Sequence, residues 1–318
     1  KYTYQITYQI NMSENLIDLL LGIEDGRIIH FILSNEETKP NIQELTPKTN
    51  NINTAALKII KTPEFYCIPS NNGSVNIWKS NGEQLEKCKV LELKNKEEYR
   101  KKWELTSIAL DDEYLYTGGP MGLIELWDIK NDFERVDQFS VDTNPIRGLL
   151  VNDHMIFFGA GEANFKVVDK KERNIIYEEA FPWAKYTIQN MTMNDNFVCI
   201  ALTGRIFSYT YENENFKVEK HAEFANTHNK VKGMSLYHNL CYSGAWDGKL
   251  MAWNILSKNP SPIFGVQLGS LESVYVDDNH IYAGGHHGEL VIIKKGEKYT
   301  IEGHHKFGSP VKDIKSFS

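Results

Sequence analysis

Short apolar runs separated by polar turns recur along the whole chain. Five of them open repeating groups: Leu105–Leu110, Ile146–Val151, Thr187–Met193, Val231–Tyr237 and Leu271–Val276. A polar turn follows each, such as Asp111-Asp112 or Asp277-Asp278-Asn279. Then comes a nearly unbroken apolar run: Tyr114–Thr117, Met155–Phe158, Phe197–Ala201, Leu240–Ser243 or Ile281–Ala283. Runs of this length between turn residues predict strands, and unbroken hydrophobicity predicts a strand covered on both faces. A third segment, as in Leu123–Trp127, is expected to alternate more. A fourth is polar, as suits a sheet edge.

The third segment starts from a turn glycine. In Leu240–Leu256, LCYSGAWDGKLMAWNIL, a strand leads to Asp247-Gly248, and Trp253 stands five residues beyond Gly248. The spacing repeats from Gly26 to Phe31, Gly73 to Trp78, Gly122 to Trp127, Gly204 to Tyr209 and Gly288 to Ile293. A degenerate copy has Glu162-Ala163 at the turn and Val168 in the aromatic slot. Turn positions 26, 73, 122, 163, 204, 248 and 288 are 47, 49, 41, 41, 44 and 40 residues apart. Four short strands per ~40–45 residues predict the blade of a β-propeller. The expected fold is all-β: one seven-bladed propeller of four-stranded antiparallel blades over residues 1–318. The blades are expected near 1–50, 51–104, 105–143, 144–184, 185–227, 228–269 and 270–318.

The two ends need a separate reading. Tyr4–Ile10, Leu16–Gly22 and Arg27–Leu33 read as the first three strands of blade 1, and the polar Ser34–Asn53 as an outer strand plus a mobile loop. The charged Lys94–Glu104 reads as a short solvated helix or loop. Val311–Phe317 looks like a further inner strand, although Tyr4–Ile10 already fills that place in blade 1. Either the ends overlap to close seven blades, or an eighth blade begins. Closure removes exposed sheet edges and favours seven.

Ser243-Gly244…Asp247-Gly248…Trp253, Thr117-Gly118-Gly119 with Trp127-Asp128, and Gly303-His304 together resemble the WD-repeat family. The resemblance spans nearly the whole chain, with one true Trp-Asp and one true Gly-His. Its specificity lies in the seven-fold register. It implies a structural hydrogen-bond chain from Trp253 through Ser243 and His228 to Asp247, which would stiffen blade 6. Thr227, and not glycine, precedes His228. The family shares a shape and not an activity.

Composition adds bounds. The 318 residues are 41% hydrophobic, enough for a sizeable core. With 35 basic and 42 acidic residues the net charge is −7. That argues against a nucleic-acid surface as the main role and leaves room for a local basic patch. Cys67, Cys88, Cys199 and Cys241 show no CxxC spacing. Three of them fall in second strands of different blades, which the ring is expected to hold apart. They read as buried free thiols in a reducing compartment, the cytoplasm or the nucleus. No apolar run approaches the ~20 residues of a membrane helix, so no insertion is expected. The chain starts at Lys1 and not at Met, which is compatible with a piece of a longer protein.

Candidate chemistry is sparse. His228, Ser243 and Asp247 are the residue types of a nucleophilic triad, but Ser243 lies inside an apolar strand without GxSxG. His280, His286-His287 and His304-His305, with Glu289 or Glu302, raise the idea of a metal. Adjacent histidines diverge, however, and no HExxH or CxxC accompanies them. Asp111-Asp112 and Asp277-Asp278 are turn residues. Phosphate-binding glycine loops are absent. No catalytic residue, metal or cofactor is therefore expected. The expected function is a non-catalytic scaffold or adaptor that docks a protein partner, a peptide or a domain, on its loop face. The alternatives are the targeting or substrate-recruitment domain of a larger enzyme, or an enzyme with its site in the central channel. The latter requires charged or histidine side chains converging at inner-strand ends. The candidate docking residues are bulky ones off the register: Met121, Phe181, Trp183 with nearby Lys185, Trp246, His286, His287 and Phe307.

Overall fold

The computed structural model describes residues 16–34, 39–46, 58–62, 64–70, 73–80, 85–94, 107–161, 163–184, 188, 190–225, 230–258 and 262–316. They form seven antiparallel sheets of four strands each, the blades of a propeller. From the axis outward, blade 1 is Val311–Ser316, Leu16–Ile23, Ile28–Ser34 and Asn41–Glu44. Blade 2 is Ile60–Lys61, Phe65–Pro69, Ser74–Ser80 and Leu85–Glu92. Blade 3 is Ser107–Leu110, Tyr114–Gly118, Leu123–Asp128 and Glu134–Ser140. Blade 4 is Ile146–Val151, Met155–Ala160, Asn164–Asp169 and Ile175–Ala180. Blade 5 is Asn190–Met193, Phe197–Leu202, Arg205–Glu212 and Lys217–Ala225. Blade 6 is Val231–Tyr237, Leu240–Ala245, Lys249–Asn254 and Pro262–Gln267. Blade 7 is Leu271–Val276, His280–Gly285, Glu289–Lys294 and Thr300–Lys306. Among the described residues no helix is long and apolar enough to cross a membrane.

The last strand closes the ring. Val311–Ser316 pairs antiparallel with Leu16–Ile23 and takes the innermost position of blade 1. That position was expected for Tyr4–Ile10, a segment outside the described residues, as is most of Lys94–Glu104. Val311–Ser316 does not open an eighth blade: among the described residues it is the strand that fills the inner place of blade 1.

The turn register is visible in the backbone. Gly26, Gly73, Gly122, Ala163, Gly204, Gly248 and Gly288 all have positive φ, between 58° and 90°. The degenerate copy thus keeps the left-handed turn with an alanine, at φ 58°. The slot residue five positions later marks a second regularity. In blades 2 to 7 the ladder between third and outer strands shifts register on reaching Trp78, Trp127, Val168, Tyr209, Trp253 and Ile293. A bulge there turns the large side chain into the seam between blades.

Those seams are the core. Seven apolar clusters each join two neighbouring blades, such as Phe157 and Phe165 of blade 4 with Val198 and Phe207 of blade 5. Second strands are buried along their length, as in Met155–Ala160 and Phe197–Leu202. Third strands do not alternate as expected. Leu123–Asp128 and Glu289–Lys294 bury four consecutive residues, because neighbouring blades cover both of their faces. Inner strands vary: Leu271–Val276 is mostly buried, whereas Asn190–Met193 is partly open throughout. Cys199 and Cys241 meet across the seam of blades 5 and 6 as free thiols, so the ring brings this pair together. Their contact and burial push the Cys199 thiol well up.

Candidate docking face and channel mouth

In a four-stranded meander the turn between second and third strands opens on the same side as the connection to the next blade. Backbone bonds from turn to connection confirm the side: Trp246 N–H donates to Lys230 at 3.2 Å, and His286 N–H to Ser270 at 2.7 Å. The opposite face carries tight Asx turns. Asp111, Asn152, Asn194 and Asp277 each accept two backbone N–H groups across the first turn of their blade.

On the loop face, Glu272 ties the mouth of blades 6 and 7 together. It is the second residue of its inner strand, and its side chain is 4% exposed. Its Oε1 accepts Trp246 Nε1–H at 2.8 Å and lies 2.7 Å from His286 Nδ1. Its Oε2 is 3.2 Å from Lys312 Nζ, which also reaches Glu24 at 3.4 Å. Burial by itself would raise this carboxyl. The charge of Lys312, the hydrogen bonds from His286 and Trp246, and the charge of Lys232 outweigh it and hold the pKa below the ordinary value. Trp246 is 43% exposed. Lys230 Nζ lies 4.0 Å from its centroid and Lys232 Nζ 5.1 Å, close enough for cation–π attraction. His286 stands 5.9 Å from it, centroid to centroid.

The other expected docking residues are dispersed over the same face. Trp183 is 48% exposed, with the Arg205 guanidinium 4.6 Å from its ring and Phe207 at 6.1 Å. Met121 is 59% exposed and has left-handed φ in its turn. His287 is exposed beside His286, while Phe307 is half-buried against Phe31. Phe181 corrects the expectation: only 2% of it is exposed, and it packs on Phe207 inside the seam of blades 4 and 5. Seam packing, not docking, is its role. Lys185 and His228 lie outside the described residues.

Of the residues that the resemblance joins in a chain, Trp253 Nε1–H donates to Ser243 Oγ at 3.1 Å. Asp247 accepts the N–H of Lys249 at 3.0 Å. Blade 3 repeats the first of these contacts, Trp127 to Thr117 at 3.1 Å. His304 and His305 lie in the outer strand Thr300–Lys306, and His305 packs on Phe31 at 4.9 Å.

The channel behind the mouth was missed by a reading keyed to turn glycines. It holds a cavity of about 270 Å3. Ser107, Gly148, Asn190, Gly233, Ser273 and Asp313 ring it at equivalent places of six blades, and Lys58, two residues before the inner strand of blade 2, joins them. Several of them stitch one blade to the next. Ser107 Oγ–H donates to the Ile146 carbonyl at 3.1 Å, Asn190 Nδ2–H to Val231 at 3.1 Å, and Ser273 Oγ–H to Val311 at 2.9 Å. One residue earlier stand Arg147, Lys232, Glu272 and Lys312, each at a register shift of the inner ladder. A bulge leaves its extra residue out of the pairing, and here that residue lines the channel. A repeated triplet of apolar, charged and short residues carries these bulges: Ile146-Arg147-Gly148, Val231-Lys232-Gly233, Leu271-Glu272-Ser273 and Val311-Lys312-Asp313.

No protein-family model and no curated protein matches the sequence. Solved structures do. The chain superposes on the crystal structure of RRP9 WD40 repeats with a TM-score of 0.64 at 13% identity, covering 92% of this chain and 88% of that one. The fold is that of the WD-repeat β-propellers. U3-55K gives 0.64 at 14% identity over 80% of this propeller and 83% of that chain. A chain of the mitotic checkpoint complex gives 0.65 at 10% identity, over 93% and 96%.

Proposed function

We propose that this propeller is a non-catalytic scaffold or adaptor that docks a protein partner, a peptide or a domain, on its loop face around Trp246. The observation that carries this reading is the mounting of that side chain. Trp246 is half in solvent, yet Glu272 fixes its indole N–H and Lys230 lies against its ring. An aromatic held in one orientation loses little entropy on binding, and tryptophan is prominent among residues that dominate interface energy. Trp183, in the connection after blade 4, likewise has a cation against its ring, the Arg205 guanidinium of blade 5. The occurrence of this fold in a mitotic checkpoint complex is in keeping with a role in assemblies.

Charged groups do converge at inner-strand ends, the condition set for a channel enzyme. The state of Glu272 supports binding and not turnover. Glu272 is engaged by Trp246, His286 and Lys312 and is held ionised, which leaves it a weak base. Buried free thiols at Cys67, Cys199 and Cys241 support a reducing compartment such as the cytoplasm.

The test is recovery of partners from source lysate by the intact chain and by a Trp183→Ala/Trp246→Ala variant with an unchanged melting temperature. The variant should lose at least one specific partner. Identical recovery by both would remove the loop face from consideration.

A further inference from the structure

The central cavity shares Glu272 and Lys232 with the mounting of Trp246, and the rest of its wall is unused by the docking reading. At about 270 Å3 it lies near the lower end of small-molecule pockets. Its wall carries five cations, Lys58, Arg147, Lys232, Lys312 and Lys315, against two carboxylates, Glu272 and Asp313. The chain as a whole has the opposite balance, with a net charge of −7.

Both carboxylates are already engaged, and Glu24 beside the wall offsets part of the Lys312 charge at 3.4 Å. Glu272 serves Trp246, His286 and Lys312. Asp313 accepts the Ile59 N–H at 2.7 Å and lies 3.7 Å from Lys315. Among the described residues, neither Lys58 nor Lys232 has a carboxylate within ion-pair distance. Lys58 Nζ–H donates to the Ile108 carbonyl at 2.9 Å, and Lys232 faces the Trp246 ring. Burial pushes the Lys58 amine down to about 8, with Lys315 repelling its charge further. Burial lowers Lys232 too, although Glu272 opposes it. Positive charge gathered inside a low-dielectric channel costs free energy that an anion would recover. The cations are also presented in a repeated way: Arg147, Lys232 and Lys312 occupy the same bulge of blades 4, 6 and 1.

We propose that the channel binds a small, multiply charged anion bearing phosphate groups. The Arg147 fork matches phosphate oxygens in pairs, and the lysines supply point charges around it. A cavity of about 270 Å3 admits a single small molecule and excludes a folded domain or a duplex.

Titration calorimetry of the intact chain with sodium tripolyphosphate tests this. One ion should bind per chain, with a Kd of about 10 μM or tighter at about 50 mM salt and roughly tenfold weaker binding at about 300 mM. Arg147→Ala and Lys232→Gln should each weaken binding by about tenfold or more. Lys171→Ala, at an exposed lysine on the rim of blade 4, should leave it unchanged. Because a channel variant could fold poorly, the melting temperature of the intact chain is read as well. Tripolyphosphate should raise it, and sodium chloride at equal ionic strength should not. Absence of saturable binding below about 1 mM, several ions per chain, or undiminished affinity in both channel variants would each overturn the site. None of those outcomes bears on docking at Trp246, which the tryptophan variants test separately.

Discussion

Gly248 shows what the turn register demands of a single residue. Its φ is +81°, and an added Cβ would lie 2.3 Å from the Leu268 carbonyl oxygen and 2.5 Å from Gln267 Nε2. Gly248→Ala combines a left-handed penalty with a clash against backbone, and should cost about 2–4 kcal/mol. Ala163 occupies the same turn at φ 58° with its methyl buried. Ala163→Gly relieves about 1 kcal/mol of backbone strain and gives up about 0.8 kcal/mol of methyl burial, so it should change stability by less than about 0.5 kcal/mol. Urea denaturation of the two variants checks both. A mild Gly248→Ala would mean that the turn is far more pliable than its geometry indicates.

At the scale of strands, the inner ring depends on short side chains that reach into the next blade. Ser273→Ala and Ser107→Ala each delete a buried bond to a neighbouring carbonyl and should each cost about 1–2 kcal/mol. They sit in different blades and should add to within about 0.5 kcal/mol in the double variant. A combined loss below that of either single variant would count against independent stitching. The same strands explain what was and was not legible in the sequence. Strand order and the seven turns were legible because Gly248 and Trp253 recur at a fixed spacing that the backbone enforces. The inner bulges at Arg147, Lys232, Glu272 and Lys312 were hidden, since one unpaired residue breaks the two-residue alternation by which strands are recognised. Phe181 misled because a Phe-Pro-Trp connection looks exposed, whereas one ring turned inward and the other outward. The proposed docking residues were legible only as bulky side chains off the register; that Glu272 mounts Trp246 required the fold.

At the scale of the molecule, stability rests on closure. There is no single centre: seven seams each join two blades, and the seam between blades 7 and 1 includes Val311 and Ile314 of the last strand. Ending the chain before Val311 would uncover the edge of Leu16–Ile23 and remove Ser273's partner. Such a protein should lose its single cooperative melting transition and bind a hydrophobic dye, and a peptide spanning 311–318 should restore the transition when added. Unchanged melting of the shortened chain would show that the ring holds without its latch. Gly22 pairs with Asp313, and Leu19 with Ser316. During synthesis, then, the opening sheet waits unfinished while six others emerge from the ribosome. Among the described residues nothing else pairs with its inner edge for the length of that wait, and a nascent chain that stalls late would leave the cell an open ribbon to be shielded by chaperones or destroyed.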